Sequence, residues 1–127
     1  MTLALVMLAG ALGAPARFLI ERGVARWTGH AFPWGTWIVN VSGSFALGVV
    51  AGLAMHQGLS TSATAVLGSG FLGAYTTFST FVIEAVRLAE GGIARPRDGA
   101  LAVVYVASSL GVGIVAAIAG LATMGAF

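Results

Sequence analysis

Apolar residues run almost without interruption along this chain, and the few charged positions divide it into segments of membrane-crossing length. Neither residues 27–83 nor residues 99–127 contain an Asp, Glu, Lys or Arg. A helix needs about 20 apolar residues to cross the hydrocarbon layer, so the first stretch holds two spans and each end of the chain holds one. The pattern predicts helices over about residues 3–20, 34–55, 62–85 and 99–124. Pro33 marks the first loop, His56-Gln57-Gly58-Leu59-Ser60-Thr61 reads as a polar turn, and residues 87–98, with Gly91-Gly92 and Pro96, read as the last loop. Trp34 and Trp37 open the second span at the depth of an interfacial aromatic belt. The fold class is therefore an all-α membrane protein, with residues 1–127 forming a single domain of four transmembrane helices.

Composition agrees with that reading. Of 127 residues, 58% are hydrophobic and 8% are charged; an ordinary soluble domain carries about 25% charged residues, so a water-soluble globule is excluded. Residues 1–16 lack the positive start of a cleavable signal and run directly into Arg17, which favours an uncleaved first helix. The chain has no cysteine, so disulfides and thiolate metal sites are excluded. Its net charge of +2 comes from six arginines and no lysine, too sparse and dispersed for a nucleic-acid footprint. Four crossings put both termini and the turn at His56 on one side of the membrane. The other side carries Arg22, Arg26, Arg87, Arg95 and Arg97, and that asymmetry taken alone places the termini outside the cytoplasm.

Enzyme chemistry finds little footing. His30 and His56 fall in loops at opposite membrane faces, so they cannot share a metal, and neither has a serine and an acid around it. Gly68-Ser69-Gly70-Phe71-Leu72-Gly73 matches a dinucleotide fingerprint letter for letter, yet lies inside an apolar span with no preceding strand. Glu84 and Arg87, one turn apart, read as a local ion pair at the membrane surface. Nineteen glycines would weaken helices in water, but in lipid small residues let backbones approach, and Gly48/Gly52, Ala9/Gly13 and Ala116/Gly120 have the small-xxx-small spacing of packed spans.

Polar side chains at membrane depth need a partner or a wet path. In the second span Thr36, Asn40, Ser44 and Gly48 recur every four residues on one face, with Asn40 near mid-span; Asn40 suits either a polar path or a bridge between two helices. In the third span Gly68, Gly70 and Gly73 precede Tyr75-Thr76-Thr77-Phe78-Ser79-Thr80-Phe81. Four hydroxyls in five positions cannot all face lipid or all bond their own helix, which predicts a broken helix whose freed carbonyls form a natural cation site. Phe78 and Phe81 share a face, and their positive ring edges can line an anion's path or simply pack. In the fourth span Tyr105, Ser108 and Ser109 lie at i, i+3 and i+4, as donors or as glue between helices.

Taken together, Gly13-Ala14-x-x-Arg17-Phe18, Gly35-Thr36-x-x-x-Asn40-x-x-Gly43-Ser44-Phe45 and Gly73-Ala74-Tyr75-Thr76-Thr77-Phe78-Ser79-Thr80-Phe81-x-x-Glu84 resemble the Fluc/CrcB family of small fluoride channels, in order and over essentially the whole chain. The resemblance implies an antiparallel, dual-topology homodimer in the bacterial plasma (inner) membrane, with two fluoride pores. It also implies a structural Na+ at the dimer centre, on main-chain carbonyls that correspond to Gly73 and Thr76. By motif position it assigns Asn40, Phe78 and Phe81 to the pore, Ser79 and Thr80 to a polar track, Tyr105 with Ser109 to the fourth-span donors, with Ser108 as the adjacent competitor, and Arg17 to the pore's aqueous mouth. Two departures stand out: the family's usual Gly-Gly before the Thr-Thr pair is here Gly73-Ala74, and the arginine asymmetry, five to none, sits poorly with dual insertion, which needs nearly balanced flanks.

The physics of fluoride fits such a site. The ion is small and strongly hydrated, so a selective path must replace its water with convergent neutral donors in a narrow apolar slot, since full positive charge would trap it. Two other classes compete. A small four-helix drug exporter needs a membrane-embedded carboxylate, and the first sixteen residues have none. A non-conducting structural subunit would use its glycines only for packing. No nucleic acid and no soluble protein partner is implied.

Overall fold

The computed structural model describes residues 1–29, 31–94 and 96–125, and within them the side chains outside residues 92–98. Helix α1 spans Thr2–Thr28, α2 Trp34–His56, α3 Thr61–Thr64, α4 Gly73–Tyr75, α5 Ser79–Ala94 and α6 Pro96–Gly125, with a wide π-helical segment at Ala65–Leu72 between α3 and α4. No strand is present among the described residues. Four helical stretches are long and apolar enough to cross a membrane: Thr2–Thr28, Trp34–His56, Thr61–Gly91 and Gly99–Gly125. The outer surface carries Leu3, Leu8, Leu12, Leu19, Val115 and Ile118, each more than 60% exposed, which is the surface a helical bundle presents to lipid. The chain is a multi-pass membrane protein.

The spans form because every backbone polar group in hydrocarbon must bond within its own helix, and they pack through glycine. An added Cβ at Gly48 of α2 would collide with the Ala117 carbonyl of α6, and one at Gly120 of α6 with the Phe45 carbonyl of α2. Three of the four residues named from small-residue spacing in these helices, Gly48, Gly52 and Gly120, thus face one seam between α2 and α6. On the other side, an added Cβ at Gly13 would strike the Phe71 carbonyl, and one at Gly70 would lie 2.8 Å from the Val6 carbonyl, so α1 lies directly on the π segment. Val39, Leu72 and Tyr75 form the core between these two seams.

The third span starts from a side-chain cap, with Ser60 Oγ accepting the Ala63 N–H at 3.2 Å. It then widens into the π segment, ends its first half at Tyr75, and resumes at Ser79. The predicted broken helix is present. Ala74 fits without strain, since among the described residues none other than glycine has a positive φ.

Two readings are corrected. The predicted loop at residues 87–98 is helical where it is described: α5 continues to Ala94 and α6 begins at Pro96. Leu88, Ala89 and Glu90 are good helix formers, and proline is favoured at the first helical position, where it lacks only an N–H that would be unpaired anyway. Nor is there an ion pair of Glu84 with Arg87; Glu84 turns inward and accepts the Tyr105 hydroxyl at 2.9 Å instead. His30 and Arg95 lie outside the described residues. The predicted grouping of ends is present: Thr2 Oγ1 lies 3.1 Å from Ser62 Oγ, and Gln57 Nε2 reaches Met124 Sδ at 4.0 Å, so both termini and the turn at His56 share one end.

Candidate functional site

The site is built around the break in the third span. Asn40, in the second turn of α2 and so nearer its start than the predicted mid-span, holds the Thr77 peptide unit at two points: its Nδ2 donates to the Thr77 carbonyl at 2.9 Å, and its Oδ1 accepts the Thr77 N–H at 2.8 Å. That fork reproduces the pairing one strand gives another and satisfies backbone groups that the break has orphaned. Gly43, one turn further along α2, permits the approach, because an added Cβ would overlap Thr76 Cγ2. Thr77 then starts the second half-helix, with its Oγ1 accepting the Thr80 N–H at 3.3 Å and donating to Thr80 Oγ1 at 3.1 Å. From the first span, Arg17 Nη1 donates to the Thr76 carbonyl at 3.4 Å.

Beside the break lies an open groove of about 340 Å³, between α2, the π segment, α5 and α6. Its polar wall is Asn40, Ser44, Thr76, Thr77 and Ser109, and its aromatic wall is Phe78 and Phe81. None of its lining residues carries a charge. The two rings are 6.2 Å apart at 38°; Phe81 also packs on Tyr105 at 5.2 Å, while Phe78 is 78% exposed at the groove's mouth. Ser109 Oγ is buried and has no partner among the described residues. Its neighbour Ser108 is fully engaged, accepting Trp37 Nε1 at 3.1 Å and donating to the Tyr105 carbonyl at 3.3 Å. A buried hydroxyl that neither helix uses is a donor left free for an occupant of the groove.

The structure thus brings Asn40, Phe78, Phe81 and Ser109 to one groove. It leaves Ser79 and Thr80 off the lining, with the Thr80 N–H donating to Thr77 Oγ1 and the Thr80 hydroxyl accepting from it. Tyr105 is fully buried behind Phe81 and gives its hydroxyl to Glu84. Arg17 stands at the break itself. Thr77 went unnoticed as a site residue, although Thr77-x-x-Thr80 has the spacing of a helix cap. A second cavity of about 350 Å³ lies toward the arginine-bearing end, between Glu21, Thr36, Glu84 and Arg87, and Glu21 Oε1 there is buried with no partner among the described residues. No cluster of His, Cys or acidic side chains able to hold a metal occurs among the described residues.

A four-span helical bundle with a broken third span, and a neutral groove of amide, hydroxyl and aromatic groups beside the break, defines a multi-pass membrane protein with a polar site inside its spans. A family model described as CrcB-like protein, Camphor Resistance (CrcB), matches residues 4–121, and the chain belongs to that family. It is 44% identical over 124 residues to a protein of Symbiobacterium thermophilum named fluoride-specific ion channel FluC 1, covering 96% of each chain. Similar relatives are fluoride-specific ion channel FluC of Rhizobium meliloti, 42% identical over 94% of this chain and 93% of that one, and fluoride-specific ion channel FluC 2 of Mycobacterium tuberculosis, 45% identical over 84% and 79%. These relatives are named as ion channels, a class outside the enzymes.

Proposed function

We propose that this protein is a fluoride channel that lets the ion leave the cell passively, and that it works as an antiparallel homodimer with two pores. The observation that carries the reading is the groove itself, where Asn40, Ser109, Phe78 and Phe81 converge without a charged group. Asn40 gives one amide hydrogen to Thr77 and keeps the other, and Ser109 keeps its hydroxyl. Those donors replace part of the ion's water, while the ring edges of Phe78 and Phe81 offer weak positive potential along the exit. Neutral donors bind fluoride firmly enough to admit it and weakly enough to release it. The groove is open on one side, and Phe78 at its mouth is 78% exposed; a second copy laid against that side closes it.

A structural Na+ belongs to the same proposal. The residues fit one: among the described residues no backbone N–H donates to the carbonyl of Gly73 or Thr76. Carbonyl oxygens at a half-helix C-terminus are the hard, partly negative donors that an alkali cation takes. When bound, the ion supplies a fixed positive charge between two breaks. Arg17 Nη1 also donates to the Thr76 carbonyl at 3.4 Å, so the guanidinium shares that oxygen with the ion, its charge opposes the ion's, and the cation takes the oxygen's second lone pair.

The test is fluoride efflux from liposomes containing the purified protein, read with a fluoride electrode and repeated for chloride. Rapid release of fluoride alone supports the channel, and replacing Phe78 and Phe81 together by Leu then abolishes most of the flux. No release from a folded dimer refutes the reading, and an unchanged flux in the double Leu variant refutes the role of the rings.

A further inference from the structure

Resting on the cation site proposed above, we propose that Asn40 and Thr77 are its positioning residues: their side chains intercept the two backbone N–H groups that would otherwise close over the Gly73 and Thr76 carbonyls. In a continuous α-helix each N–H bonds the carbonyl four residues earlier. The partner of the Gly73 carbonyl would be the Thr77 N–H, and that of the Thr76 carbonyl the Thr80 N–H. Neither bond is made. The Thr77 N–H goes to Asn40 Oδ1 at 2.8 Å, and the Thr80 N–H goes to Thr77 Oγ1 at 3.3 Å. Immediately before the break the ladder is intact, with the Thr76 N–H on the Leu72 carbonyl at 2.9 Å, and it is intact again after it, with the Val82 N–H on the Phe78 carbonyl at 3.0 Å. Between these two bonds the ladder is open from the Gly73 to the Thr77 carbonyl among the described residues, and Asn40 and Thr77 take the two N–H groups whose helical partners would be the Gly73 and Thr76 oxygens.

The backbone geometry supports side-chain control rather than backbone strain. Gly73 sits at φ −63°, ψ −33°, ordinary helical values, and Thr76 is extended at φ −74°, ψ 161°. The chain therefore leaves the helix at Thr76 without entering a left-handed conformation, and the two side-chain acceptors hold the Thr77 and Thr80 N–H groups in that course, away from the carbonyls. Asn40 therefore serves two sites at once: its Oδ1 exposes a cation oxygen, and its remaining amide hydrogen faces the groove.

The experiment reads the Na+ concentration that half-maximally stabilises the purified dimer against heat, with K+ as the balancing cation. Asn40→Ala and Thr77→Val are expected to raise that midpoint by about tenfold or more, the usual cost of losing a group that orients a metal ligand, whereas Thr77→Ser, which keeps the acceptor, stays at the wild-type value. A wild-type midpoint in either Asn40→Ala or Thr77→Val overturns the proposal, as does a shift in Thr77→Ser equal to that in Thr77→Val. Should the variants not fold, amide exchange in the wild-type protein decides: protection at Thr77 and Thr80 is expected to be unchanged when Na+ is withdrawn, and a change at either amide overturns the proposal. A Na+-indifferent wild-type dimer that conducts fluoride overturns this inference alone, and a Na+-responsive dimer that conducts nothing overturns the channel reading alone.

Discussion

Ser108 and Ser109 are neighbours of the same chemistry whose surroundings give them opposite roles. Ser108 completes hydrogen bonds from Trp37 and to the Tyr105 carbonyl, so Ser108→Ala is expected to cost about 0.5–1.5 kcal/mol, the net worth of a typical internal hydrogen bond, and to leave flux close to normal. Ser109 completes none. Ser109→Ala removes an unsatisfied buried group and is expected to leave thermal stability unchanged or slightly raised while slowing fluoride flux severalfold. Melting temperature and liposome efflux, measured on both variants, separate the two roles, and a destabilised Ser109→Ala with normal flux would contradict them. Periodicity placed both serines on one helical face and left either open as a donor; only the position of Trp37, on another helix, distinguishes them. Asn40 shows the same limit. Its place on the polar face of the span was readable from sequence, but its two-point grip on Thr77 depends on how α2 meets the break.

At the scale of the helices, small-residue spacing carried more information than hydropathy. Gly48, Gly52 and Gly120 were legible as packing positions and do meet across the seam of α2 and α6, because only a missing side chain lets two backbones come this close. Gly48→Val is expected to open that seam at a cost of about 1–3 kcal/mol or more, the range for overpacking a filled interior, seen as a lower yield of folded protein by gel filtration. Gly23→Ala, at a site with nothing within 4 Å of the added carbon, is expected to be neutral or stabilising by about 0.5–1 kcal/mol. The broken third helix was legible from its crowded hydroxyls. The helical course of residues 87–94 was not, because glycine and proline were read as breakers when Pro96 opens a helix. The π segment left no sequence signal beyond glycine: its width accommodates the close contact with α1 at Gly13 and Gly70.

For the whole molecule, the charge-free runs were enough to predict the number of spans and the end at which the termini gather, because membrane thickness sets a length that sequence must meet. They say nothing about a second copy, which depends on the shape of the finished surface. All three tryptophans, Trp27, Trp34 and Trp37, stand at the end of the bundle opposite the termini, where α1 gives way to α2, and Trp27 is 91% exposed there. That one-sidedness makes the indole fluorescence a reporter of orientation. In sealed vesicles, a water-soluble quencher added only outside reaches these indoles in every subunit or in none if all copies insert the same way. The antiparallel pair proposed above shows one set to each side in every dimer, so for it the externally quenchable fraction is expected to stay near one half even where reconstitution orients all proteins one way.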